Sequence, residues 1–184
     1  IKTYAALACI AIQSNQNDQH GGQSIPKFDF DMSVGVRKTY ARHFKSNLAK
    51  AFKFYGIDVD AKELVNKIEV AHNISPKLGD RTIDAYIKPY LEEEIEFNRI
   101  LDFATKEAYD ETVRDTYQAM ESLIHNLNTM HSRAGAQVPF SSINHGTDTS
   151  SEGRLVIESV LKATQRGLGN GETPIFPIQI FKVK

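Results

Sequence analysis

Gln137-Val-Pro-Phe-Ser-Ser-Ile-Asn144 and Thr173-Pro-Ile-Phe-Pro-Ile-Gln-Ile-Phe-Lys-Val183 bracket a segment, Thr149 to Gln165, whose apolar residues fall at helical spacing. Short runs rich in Val, Ile and Phe and bounded by Pro, Gly and Asn read as strands, and the segment between them reads as a helix. Strand, helix, strand at this spacing implies a right-handed crossover and a parallel pair. Thr149, with Glu152 three residues later, forms a capping box that starts the helix. Pro139, Pro174 and Pro177 cannot donate to a ladder, so these strands sit at an edge or start late. The fold class is therefore α/β, a mainly helical chain that ends in a βαβ unit.

Upstream of that unit the pattern is helical. Residues 1–20 carry Ile1, Tyr4, Leu7, Ala8 and Ala11 at helical spacing and then turn polar from Gln13 to Gln19 before Gly21-Gly22. The polar half reads either as a solvated, frayed end or as a polar site or helix-pairing surface rich in amides, with Gln13 and Gln16 its candidates. Ser24 to Phe30 reads as extended, leading to Asp31 or Ser33 as the N-cap of a helix over 34–55. Val36, Tyr40, Phe44, Leu48 and Phe52 follow at i, i+4 and make its buried stripe. A helix is predicted over 60–73, ended by Asn73-Ile74-Ser75-Pro76. From Asp80 to Ser132 the pattern stays helical apart from an interruption at Lys88-Pro89, with Tyr117, Met120, Leu123, Ile124 and Leu127 on the buried face.

Bulk properties narrow the function classes. The 184 residues suffice for one core. A formal charge of −1 gives no global attraction to nucleic acid polymers or to anionic membranes. No apolar run approaches the roughly 18 residues of a membrane span. Cys9 is the only cysteine, which excludes an internal disulfide framework and suits a reducing cytoplasm. Its neighbours Leu7, Ala8 and Ile10 assign it a small buried apolar role. The sequence opens without methionine inside a helical pattern and closes mid-strand, so it reads as an internal piece of a longer protein.

Several constellations look chemical and are better explained structurally. Gly167, Gly169 and Gly171 follow a helix and open a strand, the reverse of a dinucleotide loop, so they read as a helix C-cap and turn. His145, Asp148 and Ser150 resemble parts of a triad, but consecutive residues before a helix serve capping. His125 and His131 stand near a helix C-terminus, where the dipole favours them. Glu92-Glu93-Glu94-Ile95-Glu96 lacks a histidine at helical spacing and reads as a solvated face rather than a metal site. Lys38, Arg42 and Lys45 lie at i, i+4 and i+7, and no acidic residue occurs between Met32 and Ile57. Such a stripe is either a solvated basic face or a surface for an anion such as a triphosphate.

Four stretches carry a family resemblance. His131-Ser-Arg-Ala-Gly-Ala-Gln-Val-Pro-Phe-Ser-Ser-Ile-Asn-His-Gly-Thr-Asp-Thr-Ser150 and Gly167-Leu-Gly-Asn-Gly-Glu-Thr-Pro-Ile-Phe-Pro-Ile-Gln-Ile-Phe-Lys-Val-Lys184 resemble the anaerobic (class III) ribonucleoside-triphosphate reductases. His20-Gly21-Gly22-Gln23 and Val36-Arg-Lys-Thr-Tyr-Ala-Arg-His43 are similar to that family's Tyr/His-Gly-Gly and Val-Lys-Arg-Thr-Tyr-Ala-Lys-His elements. Order and spacing agree over residues 1 to about 45 and about 109 to 184, with 46–108 a variable helical region carrying no motif.

The resemblance implies an oxygen-independent reductase of ribonucleoside triphosphates, built on a ten-stranded α/β barrel of the glycyl-radical type. It implies a glycyl radical installed by an S-adenosylmethionine, iron–sulfur activase, and catalytic cysteines that fall outside this sequence, since Cys9 aligns with neither. The piece alone is then expected to be inactive, with no cofactor, metal or catalytic residue of its own. Residues 1–132 are expected to hold the dimer and allosteric specificity helices, and 133–184 the βαβ portion of the barrel. The implied ligands are dNTP or ATP effectors and a ribonucleoside triphosphate substrate, with a homodimer as the assembly. Arg42 stands where the family has a phosphate-facing Lys. It keeps the charge and adds a bidentate fork. With Lys38, Gln13 and Gln16 it makes the candidate effector set, and Ser142 and Asn144 share one strand face as substrate-proximal candidates. Two other readings stay open: a nucleotide-free helical dimerisation module, and a piece of another glycyl-radical enzyme of the formate-lyase type.

Overall fold

The computed structural model describes residues 1–19, 21–91, 94–131, 137–169 and 171–183, without the side chains of Glu94 and Ile95. His20 of the Gly-Gly element, Glu92 and Glu93 of the acidic run, residues 132–136 and Asn170 lie outside the described residues. The order is α1 (Lys2–Asp18), β1 (Gln23–Ile25), α2 (Phe28–Tyr55), α3 (Ala61–His72), α4 (Asp84–Ile87), a 3-10 turn (Lys88–Tyr90), α5 (Glu94–Thr129), β2 (Ser141–His145), α6 (Ser151–Arg166) and β3 (Ile178–Phe181). The chain is mainly helical and forms two compact units, one of residues 1–36 with 113–184 and one of residues 37–112. The expected 1–132 and 133–184 regions thus share the first unit in part.

In the first unit three strands form a parallel sheet in the order β1-β2-β3. The βαβ reading holds, with Ser142 opposite Ile178 and His145 opposite Phe181. Both strands start later than their apolar runs. Pro139 has no N–H, and ladder pairing begins where Gln23 N–H donates to Phe140 O at 2.9 Å. Before β3, the Asn128 side chain takes up the backbone: its Oδ1 accepts from Ile175 and Phe176, and its Nδ2 donates to Phe176 O at 2.6 Å. Those residues therefore have no ladder to join. The glycine reading also holds, since Gly167, at φ 80°, is the C-cap of α6.

Two local expectations are corrected. The cap of α6 is Ser150, not Thr149: its Oγ accepts from Gly153 N–H at 3.0 Å. Glu152 is buried at the first turn. Ser150→Ala should cost about 1 kcal/mol, the usual value of an N-cap, measurable by urea unfolding followed by circular dichroism. Helix α2 begins at Phe28 rather than near residue 34, so neither Asp31 nor Ser33 is its N-cap. Ser33 Oγ instead donates to Phe30 O within the first turn. Phe28 is fully buried, and burial of its ring draws the Ser24–Phe30 stretch into helix after only three strand residues.

Helix α1 turns a different face inward from the one expected. Ile1, Ala5, Cys9, Ile12 and Gln16 are buried, while Leu7 is 59% exposed and Ala11 exposed. The apolar residues of α1 surround its axis, so periodicity alone leaves the inward side undecided. Close approach decides it: a Cβ on Gly35 of α2 would lie 3.0 Å from the Tyr4 ring. The helix does not fray at Gln13; it runs to Asp18, with Gln16 only 9% exposed. Cys9 is buried as expected, and burial pushes its thiol pKa up.

In the second unit the predicted stripe is the core. Tyr40, Phe44, Leu48 and Phe52 are all at most 2% exposed, packed with Ile87, Ile100 and Leu101 also inside. Helix α3 matches its predicted limits because both signals are local: Asp60 Oδ1 accepts from Lys62 and Glu63 N–H, and Asn73 ends it in the left-handed conformation. The helix expected from Asp80 does not start there. Asp80 accepts from Thr82 N–H in a turn after Gly79, at φ 75°, and α4 begins only at Asp84. Arg81 then joins Asp84 to Asp102 of α5.

Candidate functional site

A strongly charged concavity lies within residues 37–112, between α2 and α3. Lys38, Arg42 and Lys45 occupy one face of α2 at i, i+4 and i+7. Lys62, Asn66 and Glu69 occupy one face of α3 at the same spacing. The two faces line an open cavity of about 730 Å³, together with Arg37, Ala41, Ser46 and Ser75. Five cations thus face it, against Glu69 as the one acidic lining residue.

The cations are held differently. Lys45 is mostly buried, and its Nζ donates to Glu69 Oε2 and Asn66 Oδ1, both at 2.7 Å. Glu69 is tied in turn by Ser75, whose hydroxyl donates to Oε1 at 2.9 Å. The basic stripe therefore does have an acidic partner, brought by a helix 24 residues further along the chain. The lack of acidic residues between Met32 and Ile57 describes sequence neighbours, and Glu69 lies beyond them. Arg37, Lys38, Arg42 and Lys62 are exposed. Arg42 Nη2 stands 3.4 Å from His43 Nε2, and His43 Nδ1 stands 2.9 Å from Glu111 of α5. One tautomer satisfies both contacts, with Nδ1 donating to Glu111 and Nε2 accepting from Arg42. Asn47, nearly fully buried, donates to the same Glu111 oxygen at 2.9 Å.

Arg42 and Lys38 are thus brought together with Arg37 and Lys45. Lys62 and Glu69 were missed by sequence reasoning, although their spacing on α3 repeats that of the α2 stripe. Gln13 and Gln16 belong to the other unit, on α1. There Gln13 Nε2 is buried with no hydrogen-bond partner among the described residues.

The other notable group in the first unit is the turn after β2. Asp29, fully buried near the start of α2, presents Oδ2 to the N–H groups of Gly146, Thr147 and Asp148 at 2.9, 3.0 and 2.9 Å. Its Oδ1 accepts from Phe30 N–H at 3.1 Å. Burial alone pushes the carboxyl pKa up, but these four donors outweigh it and hold Asp29 below the usual carboxylate range. The turn is a backbone anion nest already filled by a side chain. Gly146 is required there: its φ is 112°, and a Cβ would lie 2.6 Å from Lys182 O.

Of the triad-like residues, Ser150 caps α6 and Asp148 braces that cap, while His145 lies in β2 instead. Asp148 Oδ1 accepts from Ser150 N–H, and His145 Nε2 faces Gln179 Oε1 at 3.3 Å. Ser142 and Asn144 are half-buried on one face of β2, and Asn144 Oδ1 is buried without a partner among the described residues. Among the described residues no group of three or more His, Cys, Asp or Glu could hold a metal ion, and no helix could cross a membrane.

Relatives of known name match parts of the chain. An anaerobic ribonucleoside-triphosphate reductase of Haemophilus influenzae is 32% identical over 125 residues, covering 63% of this chain and 17% of its own length. The enzyme of that name from Escherichia coli is 38% identical over 78 residues, or 42% of this chain and 11% of its own length. That of Enterobacteria phage T4 is 35% identical over 103 residues, or 52% and 17%. The chain therefore spans between 11% and 17% of the length of these three relatives. The family model described as anaerobic ribonucleoside-triphosphate reductase matches from residue 1 to residue 184, variable region included, and the chain belongs to that family.

Proposed function

We propose that this chain is the effector-reading and dimer-forming stretch of an oxygen-independent enzyme that reduces ribonucleoside triphosphates to deoxyribonucleotides. The observation that carries the reading is the cavity on α2 where Arg37, Lys38, Arg42 and Lys45 converge. Guanidinium and ammonium groups at one concavity suit a ligand bearing several negative charges, and dNTP effectors are such ligands. Gln13 and Gln16 of α1 remain candidate effector contacts, and Ser142 and Asn144 candidates for the neighbourhood of substrate. The glycyl radical, its S-adenosylmethionine activase and the catalytic cysteines belong to the rest of the parent enzyme, which works in the cytoplasm.

Two surface features support assembly into something larger. Leu7 and Ile10 of α1 are 59% and 60% exposed, an apolar pair suited to burial against a second copy. On β3, Ile178, Ile180 and Phe181 are also exposed, as strands of a ten-stranded barrel would be before their neighbours cover them.

A thermal-shift titration with each dNTP, each NTP and pyrophosphate, alongside solution mass, tests the reading. A selective dNTP at 100 times its Kd should add about 2.7 kcal/mol of stability. Arg42→Ala should weaken that binding by about 1.5–3 kcal/mol, the range for a hydrogen bond to a charged group. It should leave the melting point of the ligand-free chain unchanged. A dimer that responds to no nucleotide would instead favour the bare helical dimerisation module, for which the exposed α1 pair speaks.

A further inference from the structure

The cations of the cavity differ in exposure, Lys45 being mostly buried and Lys38, Arg42 and Lys62 exposed. Its two walls carry matching stripes, with Lys38, Arg42 and Lys45 on α2 and Lys62 and Glu69 on α3. The α2 stripe spans seven residues, about 10 Å of helix axis, which suits an extended polyanion better than a single phosphate. At the Lys45 end an internal anion is already in place. Glu69 holds Lys45 Nζ at 2.7 Å and is itself held by Ser75, and the paired side chains are only 19% and 23% exposed. Arg42, Lys38 and Lys62 stand exposed along the rest of the cavity.

We infer that Glu69 is the residue that sets which anions this cavity accepts, and that Lys62 is a further phosphate contact from the opposite wall. A lone phosphate approaching Lys45 meets the Glu69 carboxylate, which repels it and occupies the ammonium it needs. A di- or triphosphate chain instead gathers charge from Arg42, Lys38 and Lys62 and can leave the Lys45–Glu69 pair intact. The ligand class is thus a polyphosphate, with monophosphates excluded by the protein's own carboxylate. This deepens the effector reading and rests on it for the nucleotide portion. Both residues lie within 46–108, so the motif-free region takes part in the site.

The test is calorimetric titration of the full 184-residue chain with inorganic phosphate, pyrophosphate and tripolyphosphate, beside Glu69→Gln and Lys62→Gln. Glutamine keeps one carbonyl oxygen in place of the two that accept from Lys45 and Ser75, so Glu69→Gln should melt somewhat lower than the wild type. Lys62→Gln, at an exposed site, should melt close to it, and affinities are compared well below both melting temperatures. The wild type is expected to bind tripolyphosphate well and phosphate poorly. Glu69→Gln should tighten phosphate and pyrophosphate about tenfold and narrow the selectivity, tenfold being about 1.4 kcal/mol of charge-assisted bonding. Lys62→Gln should weaken tripolyphosphate by a similar factor, about tenfold, and leave phosphate unchanged. Unchanged selectivity in Glu69→Gln overturns the inference, as does a wild-type chain that binds phosphate as tightly as tripolyphosphate or binds none of the three. A dNTP series run in parallel separates the two readings. If the variants behave as stated but no dNTP binds more tightly than tripolyphosphate, the specificity-effector reading falls and this one stands. If a dNTP binds selectively and Glu69→Gln changes nothing, the reverse holds.

Discussion

Asp29→Ala is expected to destabilise the unit of residues 1–36 and 113–184 by about 3–5 kcal/mol, because each buried donor left without its acceptor costs about 1–3 kcal/mol. Three donors depend on one carboxylate oxygen, the buried N–H of Asp148 and the part-buried N–H groups of Gly146 and Thr147. Water entering the turn would recover part of the loss, so the three penalties do not simply add. Asp29→Asn should cost less, since its amide oxygen can still accept from the turn without the charge. The chain has no tryptophan, so urea unfolding is best followed by far-UV circular dichroism.

The same residue gives a pH dependence with a definite sign. The pKa of Asp29 is lower in the folded state than its ordinary value, so its ionised form stabilises the fold. That contribution is complete above the unfolded value of about 4 and is lost as pH falls through the lower folded value. The stability gap between wild type and Asp29→Asn should therefore be level at neutral pH and shrink as the pH falls below about 4. A gap that widens on acidification, or an Asp29→Ala chain as stable as wild type, would show that the turn does not depend on this carboxylate.

Phe44→Ala should cost about 3–5 kcal/mol in the unit of residues 37–112, the usual range for removing a buried aromatic ring and leaving a cavity. Phe44 is 1% exposed, and its ring centroid lies 6.3 Å from that of Tyr40 in a stacked arrangement. Burial pushes the Tyr40 phenol up to about 12, even though a hydrogen bond with Thr105 pulls the other way. At neutral pH that phenol is uncharged and offers no charge to replace the lost packing. Phe44→Leu, which keeps more of the volume, should lose much less. Native-state hydrogen exchange along α2 reads the result directly. Set beside Arg42→Ala, the pair separates packing from binding. Phe44→Ala should lower stability and carry anion affinity down with it, whereas Arg42→Ala should lower affinity at constant stability. If Arg42→Ala also melts early, the guanidinium is structural and the cavity loses its leading ligand residue.

The elements that could be read from residue order are those whose signals are local. Five apolar residues from Val36 to Phe52 at i, i+4 admit one buried face, and that face is the core of α2. Asp60 and Asn73 carry their own capping geometry, so the limits of α3 followed from the sequence. The run from Gln137 to Val183 could only make a crossover, and its prolines already implied late-starting strands. The family, too, was legible, because the motif segments are long and their order is kept.

The remaining features depend on partners distant in sequence. Asp29 looked like a residue before a helix; the donors that fill its carboxylate lie 117 to 119 positions away, and no local pattern encodes them. No acidic residue lies near Lys45 along the chain, and Glu69 reaches it across a helix pair. The inward side of α1 was ambiguous because apolar residues surround its axis, and the close approach of Gly35 to Tyr4 selected one side. Short-range periodicity and motif thus sufficed for most element types, the α2 core and the family, although the stretch before α2 read as extended and is helical from Phe28. The inward face of α1, the anchoring of the β2 turn and the charge balance of the cavity were decided by folding, because each needs a group that only the folded chain brings within hydrogen-bonding or contact distance.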